Sequence, residues 1–187
     1  MKSTCEEINI IAKSLAGILK TVDKTVLWTD YFNLEEKQII AIGFTNGKIK
    51  YSDVTGKNPF KTAIFVMKCM EEIAFDEQFM TEKQLLPYIE EINYALEKRD
   101  EIYDKLVLCI KKREISCYEL ADIVEWGQRN GYFPEFVANI KNNPLLASGA
   151  FEQLLHSKEI TTYDMLQFGK KFDELLECKK QDNAFEN

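Results

Sequence analysis

Histidine is almost missing from this chain. Of 187 residues only His156 is one. That excludes metal sites built on several imidazoles and leaves one candidate for imidazole-dependent catalysis. Proline (4) and glycine (8) are sparse, which argues against the many tight turns of an all-β sandwich and favours helices. No apolar run approaches the roughly 18 residues of a membrane span. The first residues carry Glu6 and Glu7 ahead of an amphipathic stretch rather than an apolar segment, so no secretory signal is expected. The five cysteines (Cys5, Cys69, Cys109, Cys117, Cys178) are scattered and form no C-x-x-C pair. Such an odd, dispersed set reads as reduced thiols, giving a cytoplasmic expectation rather than a disulfide framework. The phosphate-binding glycine loops, the G-x-S-x-G elbow and the EF-hand loop are all absent from the sequence, so no cofactor, metal or catalytic residue is assigned.

What is present reads as a mainly α protein. The expectation is a helical bundle preceded by a small antiparallel β-hairpin or three-stranded sheet. Residues 1–57 would hold an N-terminal helix and the sheet, 58–178 the bundle and 179–187 a polar, frayed tail, in one compact domain. Ile8, Ile11, Leu15, Ile18 and Val22 step by three and four, one face of a helix over 3–22. Residues 25–55 are rich in β-branched and aromatic side chains. Asn46-Gly47 sits between two such runs, the signal of a type I′ hairpin at about 38–54, with a third strand at about 26–33. Asn58-Pro59 reads as a cap and first helical residue.

Three further helix starts share one grammar: an apolar residue, a hydroxyl cap, an acceptor three residues on, then an apolar residue. They are Met80-Thr81 with Gln84, Ile115-Ser116 with Glu119, and Ile160-Thr161 with Asp164, each reading as a capping box with a staple. The last two belong to similar segments 45 residues apart; with only two copies and a likeness that fades beyond the cap, convergent capping chemistry is the favoured explanation and a duplicated unit the alternative. The longest helix is expected over 82–112, on Leu85, Ile89, Ile92, Leu96, Tyr103, Leu106 and Ile110, with Pro87 near its start. Gly131 reads as a helix-ending glycine.

Charge gives the functional expectation. The 31 acids and 24 bases leave −7, which argues against broad phosphate-backbone binding. Residues 71–105 alone hold eleven acids against four bases, the whole of that net charge. Glu97/Glu101 and Asp100/Asp104 are like-charge pairs four apart, mildly unfavourable within a helix. This pattern suggests a non-catalytic acidic protein-binding module (an inhibitor, adaptor or immunity-type factor) with Glu90, Glu91, Glu97, Asp100, Glu101 and Asp104 meeting a basic protein surface, nucleic-acid mimicry being a sub-case. No membrane partner is expected. The alternative from another class is a small enzyme or a nucleic-acid-processing or nucleic-acid-binding subunit. It would use His156 or the basic hairpin lysines Lys48, Lys50, Lys57 and Lys61, near Tyr51 and Phe60.

Overall fold

Three strands form early in the chain, where β-branched and aromatic side chains are concentrated, and the middle strand becomes buried on both faces. The computed structural model describes residues 4–21, 23–58, 61–62, 64, 78–132, 149 and 160–185. Helix α1 covers Thr4–Leu19, followed by β1 (Val26–Asn33), β2 (Gln38–Phe44) and β3 (Ile49–Asp53). The strands make an antiparallel meander in the order β1-β2-β3. Short helix α2 (Glu82–Leu85) leads through a 3-10 turn at Leu86–Tyr88 into α3 (Ile89–Lys111). Helices α4 (Cys117–Arg129) and α5 (Thr162–Phe185) follow. The protein is therefore mainly helical with a three-stranded antiparallel sheet, as the sequence suggests. It divides into two compact units, Met1–Glu97 with Ser157–Tyr163 and Lys98–His156 with Asp164–Asn187.

In the first unit β2 is the central strand, and every residue from Ile39 to Phe44 is buried. Helix α1 packs on the sheet through Ile8, Ala12, Leu15 and Leu19, all fully buried. The expected stripe is thus rotated: Ile18 is exposed and Ala12 takes a core place. The small Ala12 allows close approach, and the Thr29 hydroxyl of β1 donates to its carbonyl at 2.5 Å. Trp28 lies over Gly43 on the neighbouring strand. A Cβ at Gly43 would stand 2.1 Å from the indole, so this strand position requires glycine. The expected cap at Asn58 forms, its side chain accepting the Lys61 N–H at 2.9 Å. Most of the helix expected after it lies outside the described residues.

The hairpin sits where Asn46-Gly47 places it, but its turn differs. Type I′ needs positive φ at both residues, and only Gly47 has it, at 79°. The Gly47 N–H donates to the Phe44 carbonyl and the Phe44 N–H to the Lys48 carbonyl, both at 3.0 Å. Thr45, Asn46 and Gly47 therefore form a three-residue loop, a tight turn closed by a glycine bulge, another solution compatible with strand twist.

Both outer strands of the sheet are tied to neighbouring segments of the unit. Beside β3, the Met80 N–H donates to the Tyr51 carbonyl at 2.7 Å and the Ser52 hydroxyl to the Gln78 carbonyl at 2.8 Å. Beside β1 stands the opening turn of α5. The Asp30 carboxylate accepts the Thr162 N–H at 2.6 Å and its hydroxyl at 2.7 Å. The Thr161 hydroxyl donates to the Asn9 amide oxygen at 2.6 Å.

The capping boxes at Thr81 and Ser116 are both formed. Pro87 cannot donate to the helix ladder, and the segment around it tightens to a 3-10 turn before α3 begins. Helix α4 ends in a Schellman motif: the Tyr132 N–H reaches the Gly127 carbonyl at 2.8 Å and the Gly131 N–H that of Gln128 at 3.0 Å, with Gly131 at φ 74°. Helix α3 ends the same way, through Glu114 to Cys109 and Arg113 to Ile110. There the left-handed residue is Arg113 at φ 57°, where a side chain is strained.

In the second unit Leu106, Leu120, Phe168 and Phe172 are almost completely buried. Gly169 admits Ile102, whose Cδ1 would lie 2.5 Å from a Cβ there. The segment expected as a polar tail is described as far as Phe185. Helix α5 runs on to Phe185, and Lys179 is tied down, donating to the Glu114 carbonyl at 2.8 Å and to the Glu119 carboxylate.

Candidate functional site

The six acids singled out by charge all belong to α3, yet they do not act as one group. A helix turns once per 3.6 residues, so steps of three, four and seven share a face. In the first half Glu90, Tyr94 and Glu97 share one. In the second half Glu101, Asp104 and Leu108 do. The step from Glu97 to Glu101 keeps the helix on that same stripe. Asp100 flanks it and is exposed. Glu91 points away, because its carboxylate accepts the Glu35 N–H at 2.6 Å. It holds the β1–β2 turn and is removed from the candidate surface. Glu101 is exposed but paired with Lys98 at 2.6 Å. Glu90, Glu97, Asp100 and Asp104 make no ion pair among the described residues.

Two apolar side chains stand among these acids. Tyr94 is 60% exposed and Leu108 49%. Neither belongs to the apolar series that buries α3, where Ile92, Ala95, Leu106 and Cys109 form the covered face. That is the signal the sequence held: two large apolar residues out of step with the core periodicity, in step with the acids. Leu86, in the 3-10 turn before α3, is 69% exposed.

The remaining candidates fare differently. Lys50 lies over Phe79 at 5.0 Å and over Phe44 at 5.6 Å, so its charge is held against aromatic rings at the sheet. Lys48 and Lys61 are exposed and Lys57 half-buried. Tyr51 beside them is half-buried, and burial together with the Asp30 carboxylate pushes its phenol above the ordinary range. His156 and Phe60 lie outside the described residues. Between α4 and α5 runs a cleft of about 270 Å³ lined by Ile123, Leu175, Cys178 and four charged residues. Three of those charges are engaged, Glu119 with Lys179 at 2.8 Å and Lys171 with Glu174 at 3.2 Å, while Asp122 makes no ion pair among the described residues. Lys171 also lies 5.9 Å from the centre of the Trp126 ring. Among the described residues no three His, Cys, Asp or Glu side chains gather where they could hold a metal ion. No described helix is long and apolar enough to cross a membrane.

The fold and this surface define a mainly helical protein whose α3 presents exposed carboxylates with two apolar side chains among them. The chain matches no known protein family, no curated protein and no solved structure.

Proposed function

We propose that this chain is a non-catalytic, cytoplasmic protein-binding module of the inhibitor, adaptor or immunity type. It docks through the exposed face of α3 onto a basic protein surface, and its wider architecture is the expected helical bundle. The observation that carries the reading is the company the acids keep. Tyr94 and Leu108 stand exposed on the stripe of Glu90, Glu97, Glu101 and Asp104. Carboxylates alone suit a solvated face. Carboxylates around an exposed tyrosine and leucine suit an interface, where aromatic anchors supply affinity and charge supplies steering and specificity.

Spacing favours a protein partner over imitation of a nucleic acid. From Glu90 to Asp104 the helix rises about 21 Å. Five outward carboxylates over that length give one charge per roughly 4–5 Å, whereas duplex DNA carries one per about 1.7 Å. The stripe is too dilute to fill a groove built for a duplex. A protein patch of a few lysines and arginines around an apolar pocket fits it better.

The test is affinity capture with the native chain and with a variant carrying Glu97→Lys, Asp100→Lys, Glu101→Lys and Asp104→Lys. The expected result is a protein recovered by the native chain and lost by the variant, with helical circular dichroism unchanged. Recovery that is indifferent to charge reversal overturns the reading.

A further inference from the structure

A small polar cluster meets where the first turn of α1 crosses the end of the sheet that carries the β1–β2 turn. It belongs to the first unit, apart from the acidic face of α3, and does not depend on the function proposed for that face. Gln38 Nε2 donates to Cys5 Sγ at 3.1 Å and lies 3.4 Å from Asn33 Oδ1. The Cys5 thiol in turn donates to Asn33 Oδ1 at 3.6 Å. Next to them is Tyr31, fully buried. Its hydroxyl has no hydrogen-bond partner among the described residues, an uncommon state for a buried polar group. Burial pushes the phenol's pKa up. The proton therefore stays on the oxygen, as an unused donor beside a sulfur atom.

We propose that Cys5 is a peroxide-oxidisable thiol whose sulfenic acid is held by the Tyr31 hydroxyl and the Gln38 amide. The oxidant is hydrogen peroxide, and the step is Cys5–SH + H2O2 → Cys5–SOH + H2O. The peroxide O–O bond breaks and an S–O bond forms. Sulfur gives up two electrons to the peroxide. One oxygen stays on sulfur, and the other leaves as water with the thiol proton. The new oxygen is the acceptor that Tyr31 lacks, and Gln38 Nε2, already directed at the sulfur, is a second donor to it. Cys5 is half-buried, open enough for peroxide and sheltered enough to slow further oxidation. Cys109 offers the contrast. It is buried, its pKa is pushed up by burial, and its thiol donates to the Glu114 carboxylate at 3.2 Å. Such a thiol is inert. Cys178 is exposed and has no comparable donor pair among the described residues, so it serves as the internal reference.

The experiment treats the full chain with hydrogen peroxide, traps sulfenic acid with dimedone and measures each cysteine peptide by mass spectrometry. Cys5 is expected to carry at least about fivefold more adduct than Cys178. Tyr31→Phe removes the hydroxyl and keeps the buried ring. It is expected to lower the Cys5 adduct by at least about threefold and to divert the residue to sulfinic acid. Equal labelling of Cys5 and Cys178 in the native chain overturns the proposal without reference to any variant. So does a Tyr31→Phe chain of native circular dichroism whose Cys5 adduct is unchanged.

Discussion

Each of the two units is held together internally by a different chemistry. The described buried polar residues are Asn9, Thr29, Asp30, Ser52, Thr62, Thr161 and Thr162 in the first unit, against Asp164 alone in the second. In the first, side chains cap and cover what the sheet leaves open, with Asp30 receiving both the N–H and the hydroxyl of Thr162. In the second, the described ion pairs are exposed or only partly buried. Lys105 pairs with Asp173, Arg129 with Glu125, Lys171 with Glu174, and Lys179 with Glu119. A desolvated hydrogen-bonded network costs a great deal to break, whereas an exposed ion pair contributes little. The first unit is therefore expected to be brittle to polar substitution and the second tolerant of it.

The most severe test of that contrast is Asp30→Ala. It strands the buried Thr162 N–H and hydroxyl and the Tyr31 N–H, and a loss of about 2–4 kcal/mol in denaturant unfolding is expected. A loss below about 0.5 kcal/mol would show that the network is decorative. Gly43→Ala comes next. Its Cβ would meet the Trp28 ring at 2.1 Å, and overpacking of this kind costs about 1–3 kcal/mol. The indole should shift, which Trp fluorescence reads independently. Arg113→Gly acts in the opposite direction. It relieves the left-handed backbone at φ 57° and is expected to raise stability by roughly 0.5–1 kcal/mol.

The smallest effect is a pH dependence at Glu119. Burial would raise its pKa, but the hydrogen bonds from Lys179 and Ser116 outweigh it and hold the carboxyl below its ordinary value of 4.5. A depressed carboxyl contributes stability above that ordinary value. The contribution is lost as pH falls through the folded one. Glu119→Gln should therefore lower the thermal midpoint at neutral pH and leave it closer to the native one in acid. A constant gap across the acid range would count against the pairing.

Local chemistry made much of this fold legible in the sequence. The hairpin turn around Asn46-Gly47 and the boxes at Thr81 and Ser116 rest on contacts within a few residues, and strand β1 at Val26–Asn33 on its own run of β-branched and aromatic side chains. Long-range contacts were not legible. Asn9 and Asp30 each meet the 161–162 turn from more than 130 residues away. Nothing local marks them as partners. The rotation of α1 onto Ala12 depends on Thr29, on another element. At the candidate surface, charge counting found the acids but could not see that Glu91 is spent on the Glu35 N–H. It also passed over Tyr94 and Leu108, whose meaning rests on exposure rather than on residue type. The orphaned Tyr31 hydroxyl is likewise a fact of packing.

The measurement that bears most directly on the central claim is a titration of the captured partner against three chains at low and high salt. They are the native protein, the near-isosteric variant with Glu97→Gln, Asp100→Asn, Glu101→Gln and Asp104→Asn, and the variant with Tyr94→Ala and Leu108→Ala. At least a tenfold rise in Kd is expected for each variant. The salt dependence of the native chain should disappear in the amide variant and persist in the alanine one. Equal Kd values for all three chains would contradict the assignment of α3 as the docking surface.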